Sequence, residues 1–183
     1  MRVISGSKKG YKLKAPKGRD IRPTEDRIKE SLFNILGDVD KNSIVLDLYA
    51  GSGSIGIEFL SRGAQKAYFI DNSIMSIKVI NENLAHTGLE DKANVIKANA
   101  QKGINLLSKN NLSFDYIFMD PPYRQNLCIK ILKYIYKKDI LKKEGIIIIE
   151  HEKELILDDK IYGFTNIDHR NYGNKSLTFY INN

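Results

Sequence analysis

Residues 44–56 constrain what this 183-residue chain can fold into more than any other stretch. Ile44-Val45-Leu46-Asp47-Leu48 is a short apolar run of the kind that forms a strand buried on both faces. Tyr49 and Ala50 lead from it into Gly51-Ser52-Gly53-Ser54-Ile55-Gly56, and a helical pattern then runs through Arg62 and closes at Gly63. A strand that delivers a glycine turn to a helix N-terminus is the opening unit of a Rossmann-like α/β sheet. The glycines let backbone pass close to a ligand, and the helix start presents unpaired N–H donors to it.

The rest of the chain keeps the alternation. Lys66–Asp71 is a second strand ending in an acid. Ser73 caps a helix whose inward face is read as Ile74, Ile77, Ile80 and Leu84, stopped by Gly88. Residues 94–97, 114–119 and 145–150 read as further strands, and residues 100–108 and 126–138 as helices. Residues 161–170 and 175–181 form a closing antiparallel pair around Tyr172-Gly173-Asn174. Strands alternating with helices predict a doubly wound α/β sheet, with right-handed crossovers and a ligand crevice at the carboxyl ends of its strands.

Two motifs fall at those carboxyl ends and therefore share the crevice. One is the glycine loop. The other is Asp120-Pro121-Pro122-Tyr123, which follows the strand ending at Met119. Each proline fixes φ and removes a backbone N–H, and each pushes the residue before it to an extended conformation. The Asp120 and Pro121 carbonyls thus sit on stiff backbone. Asp120 adds an acceptor-only carboxylate and Tyr123 a flat face. The set suits a flat ring carrying an NH₂ group. Its plainer reading is a strand-ending turn, since Asp and Pro both favour turns.

The glycine loop matches G-x-G-x-x-G, and Asp71 lies where an acid can bind ribose hydroxyls, so taken alone it reads as a dinucleotide site. Three details favour a methyl donor instead. Asp47, at the end of the first strand, suits a cationic ligand end such as the α-amino group of S-adenosylmethionine and is an awkward neighbour for a pyrophosphate. Asp120-Pro121-Pro122-Tyr123 has no role in hydride transfer. The length leaves no room for the substrate domain that many dehydrogenases carry. Asp47 also has a plainer reading, as a carboxylate that caps its own loop.

Charge adds a partner class. The net charge is +7, and seven basic residues with no acid lie within the first 19 positions, so the remainder is neutral. Arg2, Lys8, Lys9 and Lys12 belong to this arm, and Arg22 and Arg27 flank the start of a helix with Thr24 as its N-cap and Ile28, Leu32, Ile35 and Leu36 as its apolar stripe. A basic arm on a neutral body is a nucleic-acid footprint, or a solvated lysine-rich terminus. Two short β-prone runs around Ser5-Gly6-Ser7-Lys8-Lys9-Gly10 predict a hairpin. The expected division is residues 1–20 as a basic arm for RNA and 21–183 as the catalytic domain. The single cysteine, Cys128, excludes an internal disulfide, and the longest aliphatic run, Ile146 to Ile149, is far short of a membrane span. His86, His151 and His169 show no metal-ligand spacing, so no metal is expected. The chain reads as cytoplasmic and, as a working expectation, monomeric.

Asp47-Leu-Tyr-Ala-Gly-Ser-Gly-Ser-Ile-Gly-Ile-Glu58 with Leu60-Ser-Arg-Gly-Ala64 resembles the glycine-loop motif of class I methyltransferases. Arg22-Pro-Thr-Glu-Asp-Arg27, Glu30-Ser-Leu-Phe-Asn34 and Asn171-Tyr-Gly-Asn-Lys175 are similar to the bacterial 16S ribosomal RNA guanine-N2 methyltransferases of the RsmD type, and the resemblance covers essentially the whole chain. It implies a seven-stranded mixed sheet with an antiparallel last strand. It implies S-adenosylmethionine as donor and a guanine of small-subunit 16S rRNA as acceptor. Cofactor residues would be Thr24, Asp47, Tyr49, Gly51, Gly53, Gly56, Asp71, Asn72, Asn99 and Ala100, with the glycine loop at the methionine part, Asp71 at the ribose and Asn99-Ala100 at the adenine. Asp120, Pro121, Pro122 and Tyr123 would be catalytic. Many relatives in the wider superfamily carry Asp where Asn99 stands here, and Asn can still accept from the adenine amino group. Two other classes remain open: an adenine-N6 DNA methyltransferase, and a non-catalytic RNA-binding module.

Overall fold

The computed structural model describes residues 1–16, 23–122 and 125–183, and side chains outside positions 17–25 and 123–126. Helices α1 (Pro23–Leu36), α2 (Ser54–Ser61), α3 (Ile74–Thr87), α4 (Ala100–Lys109) and α5 (Gln125–Lys138) alternate with strands β1 (Ile44–Leu48), β2 (Lys66–Asp71), β3 (Ala93–Lys97), β4 (Phe114–Met119) and β5 (Leu141–Glu152). Strands β6 (Lys160–Ile161), β7 (Phe164–Tyr172) and β8 (Lys175–Asn182) follow without helices. One sheet runs in the order β3-β2-β1-β4-β5-β8-β7-β6. Strands β1 to β5 pair parallel, and β8 enters antiparallel between β5 and β7. This is the expected doubly wound mixed sheet. Its eighth strand is the two-residue edge segment β6, added because Lys160 and Ile161 return to pair with Thr165 and Phe164.

The two faces of the sheet hold two cores. One face packs Leu46, Leu48, Ile117 and Ile147 against Ile104, Leu107, Ile131 and Ile135 of α4 and α5. The other packs Val45, Phe69, Phe118, Ile148 and Phe179 against α1, α2 and α3 through Leu32, Phe33, Ile57 and Ile80. Successive strand residues point to opposite faces, so each parallel strand feeds both cores, and polar residues collect at the strand ends.

Three expected details differ. Strand β5 starts at Leu141 rather than residue 145, because Leu141 pairs with Phe114 before a register shift rejoins the ladder at Tyr116 and Ile146. The charged stretch Lys142-Lys143-Glu144 hides that start in the sequence. In α3 the inward face is Ser76, Val79, Ile80, Asn83, Leu84 and Thr87, while Ile74 is 65% exposed. Three buried polar residues there, Ser76, Asn83 and Thr87, rotate the apparent apolar stripe away from the true one. In α1 the described inward residues are Ile28, Lys29, Leu32 and Phe33, with Ile35 and Leu36 only partly buried.

The arm forms a short hairpin around a 3-10 turn at Gly6–Lys8, with one antiparallel bridge between Arg2 and Lys12. It lies on the body of the protein, since Val3 and Leu13 are buried in the core on the α2 face.

Candidate functional site

A crevice opens at the carboxyl ends of β1, β4 and β5. It is lined by Asp47, Tyr49, Gly51 and Ser52 from β1 and its loop, Phe118 and Asp120 from β4, Glu150 from β5 and Lys175 from β8. Ile28, Lys29 and Leu32 of α1 and Met1, Ala15 and Pro16 of the arm close its other side. The two motifs singled out in the sequence therefore meet in one place.

The turn after β1 is wound tightly. Tyr49, Gly51 and Gly53 have φ of 61°, 58° and 76°. Tyr49 is the telling member, since a bulky residue in the left-handed region is costly and such strain concentrates at ligand sites. Burial pushes its hydroxyl up to about 12. Gly56 is required by packing: a Cβ there would lie 2.3 Å from Cε1 of Phe69 on β2. That close approach of helix to strand is the role of the third glycine in this type of loop.

Asp47 is 1% exposed and its Oδ2 accepts from Gly56 N at 3.0 Å. Burial pushes its carboxyl well above the usual range; the Gly56 bond opposes the shift, and the nearby Asp71 and Asp120 add to it. No ion pair reaches Asp47 among the described residues. A buried acid beside two other acids is a poor structural choice and a good receptor for a cationic ligand end. The α-ammonium of S-adenosylmethionine fits that demand.

Asp71, at the end of β2, holds the loop and stands behind it rather than among the residues that line the crevice. Its Oδ2 accepts from Gly51 N at 2.9 Å and its Oδ1 from Ser73 N at 2.8 Å. A carboxylate has about four acceptor positions, so two stay available for hydroxyl donors such as those of a ribose. Asn72 beside it is exposed. Asn99 is the N-cap of α4, its Oδ1 accepting from Lys102 N at 2.9 Å, and Ala100 behind it is 6% exposed. The capping bond uses one lone pair of the Asn99 carbonyl, and the other remains for an incoming amine. Asp120 is half-buried, Pro121 buried and Pro122 exposed. Tyr123, Arg22 and the Thr24 side chain lie outside the described residues.

Of the basic residues, Arg2, Lys9, Lys12 and Arg27 are exposed and Lys8 is half-buried. Arg2 lies 3.7 Å from Asp26. They lie on the arm and α1, the same two elements that close the crevice.

Several residues that build the site carry no local signal in the sequence. Glu58 on α2 is fully buried and accepts from Ile4 N at 2.8 Å, Ser5 N at 2.9 Å and Arg62 Nε at 3.0 Å, with Lys29 Nζ 3.3 Å away. Burial lowers the Lys29 ammonium from its ordinary value, against the pull of Glu58. Asn83 on α3 is 1% exposed; its Oδ1 accepts from Lys14 N at 2.8 Å, and its Nδ2 donates to Lys14 O at 3.0 Å and Ser52 O at 2.9 Å. The arm is thus fastened to the glycine loop through Asn83 and to the following helix through Glu58. Ser52 Oγ also lies 3.3 Å from Met1 Sδ. On the far side of the crevice Lys175 pairs with Glu150.

The family model described as conserved hypothetical protein 95 matches residues 1–181. The Bacillus subtilis protein YlbH is 37% identical over 180 residues, covering 98% of both chains. The Escherichia coli protein named ribosomal RNA small subunit methyltransferase D is 34% identical over 154 residues, covering 84% of this chain and 76% of that protein. Among solved structures, the Escherichia coli yhhF protein superposes with a TM-score of 0.83 at 29% identity, covering 100% of this chain and 97% of that one.

Proposed function

This chain belongs to the conserved hypothetical protein 95 family, that of the RsmD-type rRNA methyltransferases, and from that premise we propose that it methylates the exocyclic N2 of a guanine in 16S rRNA of the small subunit. S-adenosylmethionine is the cofactor. The observation that carries the reading is that the buried Asp47 and the strand-end Asp120 line one crevice. One acid suits the donor's ammonium, and the other a neutral amine beside it.

The cofactor supplies an electrophilic methyl group on a sulfonium, so the protein need not activate a leaving group. Asp47 holds the cationic end, the Gly51–Gly56 turn shapes itself around the methionine part, and Asp71 offers its two remaining acceptor positions to ribose hydroxyls. The N2 lone pair of guanine is delocalised into the ring, which makes the amine a poor nucleophile. Asp120 and the Pro121 carbonyl accept its two N–H bonds and turn the nitrogen towards tetrahedral geometry. Asp120 then stabilises the positive charge that grows on nitrogen as the methyl group arrives, and accepts the proton that the methylated amine sheds. Positioning carries most of the rate. Tyr123 stacks on the base, worth roughly 1–3 kcal/mol by analogy with single-strand binders. The base must be unpaired or flipped to enter the crevice. The arm with Arg22 and Arg27 holds phosphates. The domain roles follow: residues 1–20 for RNA, 21–183 for catalysis.

Asp120→Ala tests the assignment. Turnover on undermethylated small subunits should be abolished, with donor affinity by calorimetry within about twofold of the parent. Near-normal turnover would remove Asp120 from the mechanism.

A further inference from the structure

Four charged side chains stand at one end of one sheet face on four neighbouring strands. Asp47 pairs in register with Phe118, and Phe118 with Ile148. Two residues beyond Phe118 and Ile148, hence on the same face, come Asp120 and Glu150. Ile148 pairs with Phe179 and Glu150 with Leu177 on β8, and two residues back along β8 on that face is Lys175. Phe118, Ile148, Leu177 and Phe179 all belong to the core on the α1–α3 side, which confirms the shared face. The order across the sheet is β1, β4, β5, β8, so it is also Asp47, Asp120, Glu150, Lys175. All four line the crevice, and the Glu150 and Lys175 side chains are only 13% and 24% exposed.

The first two positions are used by the donor ammonium and the reacting amine. The next two form an acceptor followed by a donor, further along in the same direction. The pairing edge of guanine carries, in order, the N2 amine, the N1–H donor and the O6 acceptor. Neighbouring strands are about 4.8 Å apart, and the Glu150 and Lys175 tips meet in an ion pair, so the two groups can address adjacent atoms along one base edge. A flipped base is read through that edge. With N2 at Asp120, N1–H faces Glu150 and O6 faces Lys175. Adenine presents the wrong set: its N1 is an acceptor and would meet the Glu150 carboxylate, and its 2-position carries only C–H for Lys175.

We propose that the Glu150–Lys175 pair is the specificity element of the site, reading N1–H and O6 of the guanine whose N2 lies at Asp120. This rests on the proposed guanine-N2 reading and deepens it. The competing role is structural, a pair that fixes the start of β8 to β5. A charge swap separates the two. Glu150→Lys with Lys175→Glu keeps an ion pair between the same strands and reverses the order of donor and acceptor. The proposal expects kcat/KM on undermethylated small subunits to fall by roughly a hundredfold or more, as sites built on hydrogen bonds to a substrate do when the match is lost. Donor affinity and Tm should stay near those of the parent. Parent-like turnover by the swapped protein would overturn the proposal.

A second arm does not depend on the swap folding. Once the methylated guanine is mapped, subunits are reassembled on 16S RNA carrying 2-aminopurine at that position. This base keeps the N2 amine and lacks both N1–H and O6. The parent enzyme should prefer guanine by roughly a hundredfold, and Lys175→Met should lose the share of that preference that O6 supplies, about tenfold. Equal use of the two bases by the parent, or an unchanged preference in Lys175→Met, would overturn the proposal while leaving guanine-N2 methylation standing. Failure of the parent to methylate any guanine N2 would instead remove the reading beneath it.

Discussion

At the scale of single residues, Asp47 carries the clearest trade between stability and function. Its carboxyl is pushed up by burial and by two neighbouring acids. A raised carboxyl means that the folded protein binds a proton more tightly than the unfolded chain does. Stability therefore falls as pH rises from the unfolded value near 3.9 towards the raised folded value, and stays lower above it. Asp47→Asn keeps an oxygen for Gly56 N and removes that penalty. The variant should match or exceed the parent in urea unfolding without donor at neutral pH, and lose the difference in acid. Its donor affinity should drop by about tenfold or more, since a neutral amide replaces the counter-charge of an ammonium. A variant less stable at every pH that still binds donor normally would show Asp47 to be a loop cap, the plainer reading of the sequence.

At the scale of elements, the arm, the glycine loop and α3 meet on one carboxamide. Asn83 satisfies the C=O of Ser52 in a buried bond and the N–H and C=O of Lys14 in part-buried ones. Asn83→Ala leaves these groups unpaired, at about 1–3 kcal/mol for each one that water cannot reach. The prediction is a loss of at least about 2 kcal/mol in urea unfolding, with weaker donor binding as Ser52 loses its anchor. An unchanged unfolding midpoint would show that the arm is not fastened through this residue. None of this was legible in the sequence. The partners of Asn83 lie 31 and 69 positions away, and those of Glu58 up to 54, so no local pattern announces them. The β1–loop–α2 unit, the alternation of strands and helices in the parallel half and the meeting of the glycine loop with Asp120 are legible, because short apolar runs, glycine punctuation and the placing of strand ends act locally or on topology alone. The inward face of α3 is hidden for a related reason: Asn83 is buried by distant partners, Thr87 is buried with its hydroxyl bonded back to Asn83 O and Leu84 O of its own helix, and Ile74 is exposed although apolar.

At the scale of the whole molecule, charge and fold divide the work. The excess of positive charge lies in the first 19 residues, and Met1, Ala15 and Pro16 of that segment line the crevice. Among the described residues no helix is long and apolar enough to cross a membrane. Lys9 and Lys12 are exposed, so neutralising them spares the core that Val3 and Leu13 help build. Lys9→Gln with Lys12→Gln should weaken RNA binding and lower the slope of log K against log salt by about 0.7 per lost phosphate contact on single-stranded RNA. Donor affinity should stay at the parent level. An unchanged slope would place the phosphate contacts elsewhere on the protein.

The central claim is the identity of the acceptor atom. The direct measurement is transfer from methyl-labelled S-adenosylmethionine to undermethylated small subunits, to naked 16S RNA and to adenine-rich DNA, followed by digestion to nucleosides and chromatography. Label is expected in N2-methylguanosine from the RNA substrates and none in the DNA. Label in N6-methyladenine would contradict it, as would donor binding without transfer to any of the three.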